Sequence, residues 1–102
     1  MNYTIEYGEF EWDEEKAKAN VRKHGVSFEE ATTAFDDTRH LVDPDAAHPE
    51  RFMLIGMSNK ARVIYVVHVE RERRGRIRYR IISARLGRPS DAVRYALGDA
   101  EK

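Results

Sequence analysis

Apolar residues in this chain keep two different periods, and the change between them after Asp36-Asp37 is what most restricts the fold. Before that point Phe28, Ala31 and Phe35 recur at helical spacing; beyond it Phe52, Leu54 and Gly56 alternate with Met53, Ile55 and Met57. Val63 to Val69 is rich in β-branched residues, and Arg76 to about Ala84 alternates again. A chain patterned in this way is expected to be α+β, with helices first and strands after them.

Boundary signals sharpen the expectation. Asp13 can cap a helix that starts at Glu14, with Glu14 and Glu15 at the positive end of its dipole and Lys23, His24 and Gly25 at its close. Ser27 and Glu30 have capping-box spacing for a second helix, and Val26 can staple onto Ala31. Arg39 to Asp43 reads as a short strand ended by Pro44, and Thr4 to Trp12 as an edge strand. Turns at Ser58-Asn59-Lys60 and Glu72-Arg73-Arg74-Gly75 join the three main strands into an antiparallel meander. Pro89 opens a last short helix, with Val93, Ala96 and Leu97 as its stripe. The predicted architecture is two N-terminal helices packed on an antiparallel sheet of three to four strands, a short C-terminal helix, and one domain over residues 1–102.

Composition enters mainly through charge. The net charge is zero, yet residues 1–50 carry 13 acidic against 5 basic side chains and residues 51–102 carry 5 against 13. Such asymmetry suggests a polyanionic partner for the basic half, unless folding interleaves the two. The absence of cysteine removes disulfides, thiolate metal sites and cysteine nucleophiles. With no secretory pattern at the start and no apolar run near the roughly 20 residues of a membrane span, a cytoplasmic protein is expected, with no membrane association.

The strongest chemical feature is the third main strand, where Arg76, Arg78 and Arg80 project from one face and Ile77, Tyr79 and Ile81 from the other. A row of like charges repels itself unless an anion or carboxylates lie across it. Pairing Glu70 with Arg76 sets His68 opposite Arg78 and Val66 opposite Arg80; a slip of one residue turns His68 to the apolar face instead. The first register is favoured because it keeps Val67 with Tyr79 and Val69 with Ile77. RNA brings its own nucleophile, the 2′-hydroxyl, so an imidazole for proton transfer and arginines for the crowded phosphorane suffice without a metal. The candidates are His68 as acid or base, Arg80 and Arg85 as stabilisers of the transition state, and Tyr95 as a stacking or proton-donating group. Arg62, Arg76, Arg78, Lys23 and Arg94 are the candidates for tracking RNA, and the scattered histidines offer no metal-ligand spacing.

These residues resemble the BrnT family of type II toxin–antitoxin toxins. Phe10-Glu11-Trp12-Asp13, Lys16, Asn20, Lys23-His24-Gly25-Val26, Phe28, Ala31 and Phe35-Asp36-Asp37 are similar to its front motif. Arg51-Phe52, Ile55-Gly56, Val67-His68-Val69-Glu70-Arg71 and Arg80-Ile81-Ile82-Ser83-Ala84-Arg85 are similar to its second half, so the likeness spans roughly residues 10–95. The resemblance implies a RelE-like fold, a ribonuclease that halts translation, and no cofactor. It also implies a ribbon-helix-helix antitoxin of the BrnA type, through which alone operator DNA would be reached. Arg94 and Tyr95 match the family's C-terminal stretch, whereas Asp91 and Ala92 stand where members tend to carry a Glu-Arg pair, which implies a weakened enzyme. A non-catalytic module that binds nucleic acid or antitoxin is the alternative.

Overall fold

In the computed structural model, which describes residues 3–98, the front segment doubles back instead of running through as one edge strand. Gly8 takes a φ of 60° inside a two-residue turn, so β1 (Thr4–Tyr7) pairs antiparallel with β2 (Phe10–Asp13), Tyr7 opposite Phe10. The helices then follow, α1 (Glu14–His24) and α2 (Phe28–Ala34), and after them β3 (Leu41–Pro44), β4 (Arg51–Met57), β5 (Val63–Arg73), β6 (Arg76–Leu86) and α3 (Pro89–Leu97).

The six strands form one sheet in the order β1-β2-β6-β5-β4-β3. All neighbours are antiparallel except β2 and β6, which run parallel with Phe10 beside Tyr79 and Glu11 beside Arg80. The expected architecture is therefore corrected. Two strands precede the first helix, the sheet has six strands and not three or four, and it is mixed. The reason is local: the turn at Gly8 makes two short strands out of one segment, and the α1–α2 crossover returns the chain to the far side of the sheet.

Helix boundaries follow the sequence signals. The Asp13 carboxylate accepts the Lys16 N–H at 2.9 Å, and the Ser27 hydroxyl accepts the Glu30 N–H at 3.0 Å. The Glu30 side chain does not complete a capping box; it accepts from Ser58 and Arg62 instead. On one face of the sheet, Trp12, Leu54, Ile64, Val66, Ile81 and Ala84 pack against Val26, Phe28, Ala31 and Ala34 of the helical layer. Asn20 joins the layers, donating to the Val26 carbonyl at 2.9 Å and the Ala84 carbonyl at 2.7 Å while accepting from the Ala84 N–H at 3.2 Å. Among the described residues the opposite face is covered at one end alone, by α3. None of the described helices is long and apolar enough to cross a membrane.

Candidate functional site

The β5–β6 hairpin decides where the chemistry sits, and its register is not the expected one. A two-residue turn at Arg74 and Gly75, both at positive φ (53° and 77°), sets Arg73 opposite Arg76 and Glu70 opposite Tyr79. His68 faces Ile81, not Arg78, and Val66 faces Ala84, not Arg80. β5 runs three residues past Glu70 before a tighter turn, and this odd-numbered slip gives His68 the apolar placement of the alternative register.

A second irregularity reassembles part of the expected site. The pairing shifts between Val67 and His68, which leaves Ile82 unpaired as a bulge in β6. Without it Arg80 and Arg85 would project from opposite faces. With it Arg76, Arg78, Arg80 and Arg85 share the open face, alongside Arg71 and Arg73 of β5.

Charge is thereby sorted across the hairpin. Arg71 lies opposite Arg78 and Arg73 opposite Arg76, like charges side by side, while Glu70 and Glu72 point to the helix face. Part of this repulsion is relieved from within. Glu11, fully buried on β2, receives Arg80 at 2.6 Å, Arg73 at 3.4 Å and Arg78 at 3.6 Å. Burial acts to raise the Glu11 pKa, but the Arg80 hydrogen bond and the charges of Arg73, Arg80 and Arg78 outweigh it and hold the carboxyl below its ordinary range. Arg78 also donates to the Gly8 and Phe10 carbonyls, each at 2.9 Å, so it locks the β1–β2 turn to β6. Arg76 is exposed and has no such partner among the described residues; with Glu6, Arg73, Arg74 and Arg78 it lines a cleft of about 570 Å³.

Arg85 leans the other way, over β5. Its guanidinium lies 4.0 Å from the centroid of the Tyr65 ring and donates to Asp91 at 3.0 Å. Burial acts to raise the Asp91 pKa, but the Arg88 N–H and the Arg85 guanidinium prevail and lower it. The remaining candidates are dispersed. Arg62 donates to Glu30 and to the Gly25 carbonyl, clamping the joint between α1 and α2. Arg94 pairs with Asp43, Lys23 is exposed at the end of α1, and the Tyr95 hydroxyl donates to Asp37 at 2.6 Å, tying α3 to the end of α2. The Asp37 bond and burial raise the Tyr95 pKa, so the phenol keeps its proton. His68 is 3% exposed among Phe35, Phe52 and Tyr79, and burial, helped by the charge of His40, pushes its pKa down to about 4.

Sequence reasoning missed Glu11, Arg73 and Tyr65. The motif Phe10-Glu11-Trp12 held the signal for the first, a carboxylate between two large apolar residues at the start of a strand. The family model for the BrnT ribonuclease toxin of type II toxin–antitoxin systems matches residues 12–91, most of the chain.

The chain belongs to the BrnT toxin family.

A 1.1 Å crystal structure of the Brucella abortus ribonuclease toxin BrnT is similar to this BrnT-family chain, at 29% identity and a TM-score of 0.58, over 76% of this chain and 92% of that one. A search of curated proteins found no match. The matched segment takes in α1, α2, β3 to β6 and the start of α3, with Arg80, Arg85 and Asp91, so the arginines of the open face lie within the BrnT toxin domain. Membership in a type II toxin family also implies an antitoxin as its counterpart.

Proposed function

We propose that this chain cleaves RNA on the open face of its sheet by attack of the substrate's own 2′-hydroxyl, without a metal, and that the loss of message stops translation. The observation that carries the proposal is the sorting of charge by face: the β6 arginines from Arg76 to Arg85 run along roughly 30 Å of one surface, open except where α3 meets Arg85, enough for several consecutive phosphates. Arg73 and Arg76 hold the backbone by charge. Arg80 and Arg85 meet the phosphate that reacts, stabilising the negative charge that grows as the 2′-oxygen bonds to phosphorus and the 5′-oxygen leaves. The 2′-hydroxyl gives its proton to water and the departing 5′-oxygen takes one up. Tyr95 positions α3, which carries Asp91 against Arg85. His68 has no part in this scheme, since it opens on the other face.

That other face fits RNA poorly. The cavity holding His68 and His40 is bordered by Glu9, Asp36 and Glu70, and none of the described arginines or lysines lines it. A phosphorane placed there would meet carboxylates. For the partner we propose a ribbon-helix-helix antitoxin that covers the arginine face and brings the toxin to operator DNA.

The test is incubation of the purified protein with RNA in excess chelator. Cleavage with cyclic-phosphate ends is expected to persist, and Arg85→Ala to slow it by about 10²-fold, the cost typical of removing one group that stabilises a transition-state anion. Arg85 pairs with Asp91, which stays partly exposed and keeps the Arg88 N–H as a donor, so the variant should lose only about 1 kcal/mol of stability and remain folded. Binding of RNA with no cleavage by the parent protein would establish the non-catalytic module instead. Dependence on a divalent ion would end the internal-nucleophile scheme.

A further inference from the structure

The cavity on the helix face is a built pocket that the ribonuclease reading does not use. It has a volume of about 340 Å³, and its wall is aromatic: Phe10, Phe35, Phe52 and Tyr79 surround the His68 ring. The rings pack closely, Phe35 at 4.9 Å from both Phe10 and His68, Phe52 stacked on His68 at 5.7 Å, and Tyr79 6.0 Å from His68. At the mouth stand Glu9, Asp36 and Glu70, all exposed, and none of their side chains makes an ion pair among the described residues. Deeper in, His68 Nδ1 is buried and has no hydrogen-bond partner among the described residues.

Two features therefore select the occupant. Aromatic faces attract a cation, and the three carboxylates repel an anion and attract a positive charge. A planar guanidinium satisfies both at once, because it stacks on rings and presents several N–H donors to carboxylates. A nucleotide satisfies the aromatic wall alone and brings its phosphate against the acidic mouth.

We propose that this pocket receives an arginine side chain from a partner polypeptide, on the face of the sheet opposite the arginines. An occupant here leaves the open face uncovered, so the same chain can hold a protein partner and RNA at once. The inference stands apart from the ribonuclease reading, as it uses none of the residues placed in that site.

The experiment is a titration followed by NMR at pH 8, above the ordinary titration range of imidazole. The probes are N-acetyl-arginine amide, its uncharged isostere N-acetyl-citrulline amide, and AMP. The arginine probe is expected to give saturable shifts centred on His68, Phe52 and Tyr79, with citrulline at least tenfold weaker. The triple variant Glu9→Gln, Asp36→Asn, Glu70→Gln changes only exposed side chains, and its arginine affinity is expected to fall by about fivefold or more. Equal binding of arginine and citrulline, an unchanged affinity in the triple variant, or saturation by AMP ahead of arginine would each overturn the proposal. So would shifts from the arginine probe that fall on the open face and leave His68 unmoved.

Discussion

At the scale of single residues, the molecule is governed by a few ionisable groups held off their ordinary behaviour. His68 is the clearest. Because burial favours its neutral form, the folded chain binds a proton less readily than the unfolded one below pH 6.5, so stability is lost as pH falls from there toward about 4. The expected loss between pH 7 and 5 is about 2 kcal/mol, read from urea midpoints, and this slope should largely vanish in His68→Gln. A parent whose stability is flat over that interval would mean that the imidazole is not sealed among the rings. The lowered carboxylates Glu11, Glu30, Asp37 and Asp91 work in the same direction but later, since their contribution is lost only as pH falls below the ordinary carboxylate range. Asp91 has a second consequence, for it occupies the fork of Arg85 as a phosphate would. Asp91→Asn keeps an acceptor for the Arg88 N–H at the start of α3 while releasing the arginine. RNA affinity is expected to rise about threefold to fivefold, the usual worth of a partly exposed ion pair. Filter binding at fixed salt would show it, and no gain would mean that Arg85 does not reach RNA.

At the scale of elements, the helical layer and the sheet are joined by polar bonds as well as by packing. Asn20 is the junction between α1, the loop before α2, and β6. Its replacement by Ala strands two carbonyls and one N–H in a buried setting, each costing on the order of 1–3 kcal/mol. A loss of about 3 kcal/mol or more in denaturant unfolding is expected; a loss under 1 kcal/mol would show that the layers hold by apolar contact alone. Gly56 marks another close approach, where a Cβ would stand 2.9 Å from the Ala34 carbonyl oxygen, so α2 can lie this near β4 only because no side chain intervenes. The bulge at Ile82 is the element that matters most for function, since it brings Arg85 to the face of Arg80.

At the scale of the whole molecule, the charge dipole of the sequence is partly folded into internal pairs. Glu6, Glu11, Glu30 and Asp43 of the acidic half meet Arg62, Arg73, Arg78, Arg80 and Arg94 of the basic half. What remains is a polarity between faces, basic on the open side and acidic around the His68 pocket. The arginines of the open face are engaged in the fold to different degrees: Arg78 is bound to Glu11 and two carbonyls, Arg73 and Arg80 share Glu11 and turn their remaining N–H groups to RNA, and Arg76 has no ion pair among the described residues. Arg78→Ala would strip Glu11 and two carbonyls of a partner and so confound binding with stability, whereas Arg76 is exposed. Arg76→Ala is expected to leave thermal stability near the parent's and to lower the slope of log affinity against log salt by about 0.7 on single-stranded RNA. An unchanged slope would place the RNA path elsewhere on the surface.

What the sequence determined by itself is whatever short-range physics decides. The caps at Asp13 and Ser27, the strand from Phe52 to Met57, the start of α3 at Pro89 and the shared face of Arg76, Arg78 and Arg80 all follow from spacing along a few residues, and the motifs sufficed for the family. What only the tertiary structure decided are the choices with nearly equal local cost. Whether Thr4 to Trp12 is one strand or two turns on a single glycine at Gly8, and whether Arg85 joins Arg80 turns on one unpaired residue at Ile82. Which face receives His68 depends on a hairpin register that slips at little local expense, until the aromatic cluster of Phe35, Phe52 and Tyr79 makes the buried placement the stable one. Glu11 could not be foreseen as the partner of three arginines, because β2 and β6 are distant in sequence and meet only when the sheet closes.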